Sequence, residues 1–220
     1  STNAQTGTIA IGQSALTALT SGAGNTAVGY QALLTTSTDA QNTAIGYGAG
    51  KLIAGGSDNT IIGANAFDAA DGNERQNVVI GSGAGGAINT DTSDNNVIIG
   101  YQASIGGTAA TTDCVIIGSS AGENGSQGGA DNVLIGRLAG AGTWSSSPTS
   151  KNVAIGTLAM GTGTKNSADN NVAIGYKALE DVTTGDKNVC IGSNAGAALE
   201  NDLKNVFIGF EAGLASTANN

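Results

Sequence analysis

The chain has 220 residues, of which 36 are Gly and one is Pro, and a formal net charge of −9 with eight Lys and Arg and no His. That balance lacks the basic footprint that nucleic acid demands and disfavours an anionic membrane surface as partner. It also removes His-based triads and His metal sites. No apolar run approaches the roughly 20 residues of a membrane span, so no membrane insertion is expected.

From the first coil onward the chain repeats. An Ile-Gly or Val-Gly pair recurs at Gly12, Gly29, Gly46, Gly63, Gly81, Gly100, Gly118, Gly136, Gly156, Gly175, Gly192 and Gly209, which makes twelve copies spaced 17 to 20 residues apart. A short period over a whole chain predicts a repeat architecture, one continuous array over residues 1–220. The chain starts without Met, no signal peptide is visible and no polar capping repeat closes either end; the expectation is a segment of a longer fibre protein. At roughly 4.8 Å per coil, twelve coils predict a rod of about 55–60 Å.

Counting each repeat glycine as position 0, position −1 is always Ile or Val, and position −3 is Thr or Val except for Ile9. β-Branched residues at period two predict a strand, with these side chains as its packed core face. Position −2, between them, is never polar, and includes Ile61, Val79, Ile98, Ile116, Leu134 and Phe207. Read as the opposite, outward face of a solenoid, this second apolar stripe is an expected inter-chain face. A β-sandwich strand buried within one chain is the plainer alternative. Position +3 is Ala in every copy, from Ala15 to Ala212, which predicts a narrow interior, and the residues after the glycine are expected to form a second short strand. Position −4 is Asn in ten copies, Thr8 and Cys114 being the exceptions. Stacked Asn side chains predict a hydrogen-bonded ladder. The remaining residues of each coil are rich in Ser, Thr, Gly, Asp and Asn, as surface loops are.

The repeat Asn-Thr-Ala-Val-Gly-Tyr-Gln-Ala-Leu at 25–33, with its copies at 42–50 and 171–179, resembles the head repeats of trimeric autotransporter adhesins of the Yersinia type. It is also similar to the Asn-Thr-Ala-Ile-Gly-Tyr-Gln-Ala-Leu repeats of bacteriophage tail fibres. The resemblance covers nearly the whole chain and implies an all-β, left-handed parallel β-roll packed side by side as a homotrimer. The function it implies is structural and adhesive: extracellular attachment to a cell-surface receptor or glycan, on a virion tail fibre or a bacterial surface. Coils of 17 to 20 residues and Tyr after the glycine lean toward the tail-fibre branch over the adhesin head, whose coils are nearer 14 residues.

Candidate receptor contacts are Trp144, on the longest coil, and Tyr30, Tyr47, Tyr101 and Tyr176, which with Phe210 occupy position +1. Exposed aromatics on loops make contacts of this kind. Against this stands burial of the tyrosines on neighbouring coils or chains, the favoured reading, and of Trp144 as a hydrophobic plug.

No catalytic residue, cofactor or metal is expected. Gly81 to Gly86 resembles a phosphate loop but lacks its Gly-Lys-Ser/Thr ending. Asp39, Asp58, Asp94, Asp113, Asp131, Asp169, Asp186 and Asp202 recur five to seven positions before the glycine. A calcium ladder on them competes with turn capping, and the slipping register favours capping. Cys114 and Cys190 lie four coils apart, about 19 Å, beyond the roughly 7 Å between Cα atoms that a disulfide spans. Free thiols are expected. Asn124-Gly125-Ser126 forms a glycosylation sequon. Two rival functions remain: a monomeric ice-binding solenoid, and a glycan depolymerase, for which no carboxylate pair stands out.

Overall fold

The computed structural model describes residues 6–86, 88, 90, 92–106, 110–124, 129–144 and 149–214, without the side chain of Trp144. In chain order its strands are β1 (Ile9–Ile11), β2 (Thr26–Val28), β3 (Thr43–Ile45), β4 (Thr60–Ile62), β5 (Val78–Ile80), β6 (Val97–Ile99), β7 (Thr111–Thr112), β8 (Val115–Ile117), β9 (Gly129–Ala130), β10 (Val133–Ile135), β11 (Thr143–Trp144), β12 (Val153–Ile155), β13 (Thr164–Lys165), β14 (Val172–Ile174), β15 (Val189–Ile191) and β16 (Val206–Ile208). No helix occurs among the described residues. Twelve of the strands, one per repeat, stack into a single parallel sheet in repeat order, and β7–β9 and β11–β13 form two minor parallel pairs. The register keeps each repeat position over itself, as in Ala27 on Ala44 and Ile98 on Ile116. The chain is a β-solenoid.

Each position of the coil has a physical reason. The repeat glycine has φ between +125° and +141°, and a Cβ on any of the first eleven would lie 2.2 to 2.6 Å from the carbonyl oxygen of the next coil's glycine. Only Gly permits both that dihedral and that approach. The expected second strand is absent: the residues following the glycine form turns. The cause is left-handed backbone at positions +2 and +4 of every coil, from Ser14 and Leu16 to Glu211 and Gly213. Left-handed residues break extended pairing. The turns still stack, for the N–H at +2 donates to the preceding coil's carbonyl at +1, as in Gln31 to Gln13 (3.0 Å).

The orientation of the strand is the reverse of the sequence expectation. Ile61, Val79 and Ile98 are fully buried inside the coil, Ile116 and Leu134 nearly so, and Phe207 packs on the same core. These residues are therefore not an outward inter-chain face. The β-branched residues at −3 and −1, expected as core, point outward and are half-buried or exposed. The inward residues at −2 meet the invariant Ala at +3 and the residue at +4. Within most coils the sizes at −2 and +4 compensate: Ala27 with Leu33, Ala154 with Met160 and Ala173 with Leu179, against Leu134 with Gly140, Cys190 with Gly196 and Phe207 with Gly213. A Cβ at Gly140 would sit 2.7 Å from Leu134 Cδ1, and one at Gly213 2.6 Å from the Phe207 ring. Conserved volume per layer is what a close-packed core requires. The third and fourth coils settle the balance jointly. Ala44 with Gly50 is small, Ile61 with Phe67 is large, and the space over Gly50 is filled by Ile61, Leu33 and Ile53.

The expected Asn ladder is present and buried. Asn25 Oδ1 accepts the backbone N–H of Asn42 at 3.0 Å, and Asn25 Nδ2 donates to the carbonyl of Asp39 at 2.7 Å. The same pair of bonds recurs from Asn59, which accepts from Asn77 N (3.0 Å) and donates to Glu74 O (2.9 Å). Each Asn before Asn205, which ends the ladder, thus ties its own strand to the following coil at two points. Cys114 interrupts the run. Its N–H still donates to Asn96 Oδ1 (3.0 Å), but its thiol supplies only the weak bonds of sulfur, accepting from Asn132 N at 3.4 Å and facing the carbonyls of Thr112 (3.3 Å) and Gly129 (3.4 Å).

Candidate docking face and receptor contacts

Positions −3 and −1 of the twelve strands form two parallel columns on one sheet face. One runs from Ile9 through Thr26, Thr43 and Thr60 to Val at the remaining eight levels; the other runs from Ile11 to Ile208 with Val28 the only change from Ile. Most side chains of the inner coils are half-buried by their neighbours, with Ile45 and Ile62 exposed. Exposure is greatest at the ends, 59% at Ile11 and 67% at Ile208. A contiguous apolar face of this length marks an interaction surface.

Two polar columns border it. Position −5 is left-handed in every coil, φ +56° to +70° from Gly7 to Lys204, and is exposed wherever Asp58, Asp131, Lys151, Lys187 or Lys204 occupies it. Position +1 lies on the other border and holds the tyrosines. Tyr30, Tyr47, Tyr101 and Tyr176 are exposed, as is Phe210. None of them is buried within this chain, although two on adjacent coils do pack together. Tyr30 and Tyr47 stack on each other, with centroids 5.1 Å apart and rings inclined by 14°. Tyr101 and Tyr176 stand on the sixth and tenth coils, away from that pair, and Lys177 Nζ lies 5.7 Å from the Tyr176 centroid. The tyrosines share a column without forming one cluster. Trp144 ends β11, where its backbone pairs with Lys165; its side chain and residues 145–148 lie outside the described residues.

Three of the eight acidic positions serve coil-to-coil contacts. Asp94 Oδ1 accepts the backbone N–H of Arg75, Asp169 Oδ1 that of Ser150 and Asp186 Oδ1 that of Asp169, each at 2.7 Å. Ser57 Oγ and Ser150 Oγ accept from Ala40 N and Ala130 N at the same level of their coils. This is turn capping between coils. Among the described residues no three His, Cys, Asp or Glu side chains gather as metal ligands. Gly81 to Gly86 is the turn of the repeat, and no helix follows it among the described residues. Of the sequon, Asn124 is left-handed at φ +62°, and residues 125–126 lie outside the described residues. Cys114 and Cys190 are free and buried. Desolvation raises both thiols, Cys190 to about 11, so neither is a ready nucleophile.

One buried ionisable group escaped the sequence reading. Lys165 is wholly buried, with Nζ donating to the carbonyls of Ala141 and Thr162 (2.8 Å to the latter). Burial pushes its pKa down to about 7, against a smaller upward pull from Asp181. Its position in a variable loop segment carries no periodic signal. The outward face had a signal that was available: the reciprocal sizes at −2 and +4 identify −2 as interior, which leaves −3 and −1 outside.

No family model, curated protein or solved structure matches this chain.

Proposed function

We propose that this chain is a non-enzymatic structural and adhesive segment of an extracellular homotrimeric fibre, with a phage tail fibre preferred to a bacterial adhesin head. The observation that carries the reading is the outward sheet face: two columns of β-branched side chains, twelve levels long, half-exposed in a single chain. Burial of such a face against other copies removes apolar area from water at roughly 25 cal/mol per Å². The number three rests on the resemblance of the repeats. Attachment would be multivalent, since three parallel chains present each variable loop three times and weak contacts add through effective concentration. The candidate receptor contacts are the Trp144 loop and the exposed tyrosines.

The test is retention of the purified chain on intact bacterial cells and on purified envelope polysaccharides. The assembled chain is expected to be retained, and an Ile99→Asp variant, with a charge on the outward face, to lose avidity tenfold or more. Equal retention of the two forms, or none of either, overturns the proposal. One observation favours a second reading. Thr26, Thr43 and Thr60 stand in register beside Val28, Ile45 and Ile62 on the same face, a patch able to order water. Thermal hysteresis from a monomeric chain would identify an ice-binding solenoid.

A further inference from the structure

The two borders of the outward face are matched to each other coil by coil. Within one chain they do not meet: positions −5 and +1 stand six residues apart on opposite sides of the three-residue strand, at most roughly 20 Å, on opposite edges of the face. Their occupants are nevertheless paired. Where +1 is Tyr, −5 of the same coil carries no charge: Gln41 with Tyr47, Asn95 with Tyr101, Asn170 with Tyr176, and Gly24 with Tyr30. Where +1 is small, −5 is charged in most coils, as in Asp58 with Ala64 and Lys187 with Ser193. The one coil with a cation at +1, Arg137, has an acid at −5, Asp131. The last coil departs from the pattern, Lys204 sharing it with Phe210, although Glu211 follows immediately.

Symmetry gives this matching a meaning. In any cyclic assembly whose axis runs along the rod, the −5 border of one copy meets the +1 border of the next, at the same level. In an antiparallel pair each border meets itself with the levels reversed, and same-coil matching has no consequence. We infer that copies of this chain associate parallel and level, through seams in which the residue five before the repeat glycine of one copy packs against the residue after the glycine of the next. An amide or glycine at −5 leaves room for the Tyr ring and can bond its hydroxyl. A charge facing that ring would lose hydration without a partner. Asp131 and Arg137 make the seam's one fully opposite pair and fix its level. The inference rests on the assembly proposed above and goes beyond it: it names what sets the register, and it moves the tyrosines from receptor contact to contacts between copies, which leaves the Trp144 loop as the receptor candidate.

Cysteine pairs across the seam test this in the full chain. Asn95→Cys combined with Tyr101→Cys is expected, on mild oxidation, to link copies covalently into the full assembly on a non-reducing gel. Gln41→Cys with Tyr47→Cys should do the same and guards against failure of one variant to fold. The two positions of one chain are too far apart to bridge each other, and both native thiols are buried. Asn95→Cys with Tyr47→Cys, three levels out of step, should link at least tenfold less. Efficient linking of that mismatched pair overturns the seam. So does an assembled chain whose level pairs do not link. A wild-type chain that stays at one copy in solution overturns the underlying assembly instead, and the mass of the unoxidised protein separates these outcomes.

Discussion

The inner and outer faces of the same three-residue strand are both apolar, and they differ in how they vary. Inward at −2 the residue ranges from Ala27 to Phe207, and its size is answered at +4 of the same coil or by the coils beside it. Outward at −1 the residue is Ile in eleven coils and Val in one. A core that closes within one chain can trade volume locally, coil by coil. An outward column has no such partner in its own chain, and its uniformity suits a surface that meets something equally regular.

The sharpest way to break this comparison uses two adjacent residues. Ile116→Asp places an unpaired carboxylate in the core and is expected to cost roughly 3–5 kcal/mol or more, abolishing the cooperative unfolding transition. Ile117→Asp, one residue on, places the same charge on the outward face; it should leave the circular dichroism spectrum of the coil intact and abolish assembly. Loss of fold in the second variant and not the first would invert the orientation described here.

Lys165 supplies the next largest effect. Its folded-state pKa of about 7 lies below its ordinary value of 10.5, so between those values the unfolded chain binds more protons than the folded one. Stability therefore rises with pH from about 7 toward 10.5, by a few kcal/mol in all. Denaturant midpoints at pH 7 and pH 9 should show the rise, and Lys165→Met should flatten it.

The Asn ladder gives smaller, graded effects. Asn77→Ala leaves the N–H of Asn96 and the carbonyl of Ser93 without their bonds of 3.0 and 2.9 Å, and should lower stability by about 1–3 kcal/mol. Cys114→Asn restores the ladder where the thiol makes only weak bonds and should raise stability by about 0.5–1.5 kcal/mol. Thermal melts of both variants check the pair; a destabilised Cys114→Asn would mean that this level of the coil is built around sulfur.

Much of the solenoid was legible because its causes recur. Gly at position 0, Ala at +3 and Asn at −4 each answer a contact made at every level, so period, coil number and ladder follow from spacing alone. The direction of the strand was not, because alternation distinguishes inside from outside only when one face is polar. Here Ile116 and Ile117 are chemically the same on opposite faces. The second strand was misread because left-handed backbone at Leu33 and Phe67 is imposed by stacking, against the preference of both residues. Lys165, once in the chain and inside a loop segment, had no period to betray it. The tyrosines were legible as a column, but their exposure depended on knowing which way the strand points.

The measurement that bears most directly on the account is the solution mass of the wild-type chain by light scattering. Burial of the outward columns between level copies predicts more than one chain, and the resemblance of the repeats sets the expected number at three, about 64 kDa from the 21.3 kDa monomer. A single species of 21.3 kDa, stable across concentration, would contradict it and leave the outward face to water or ice.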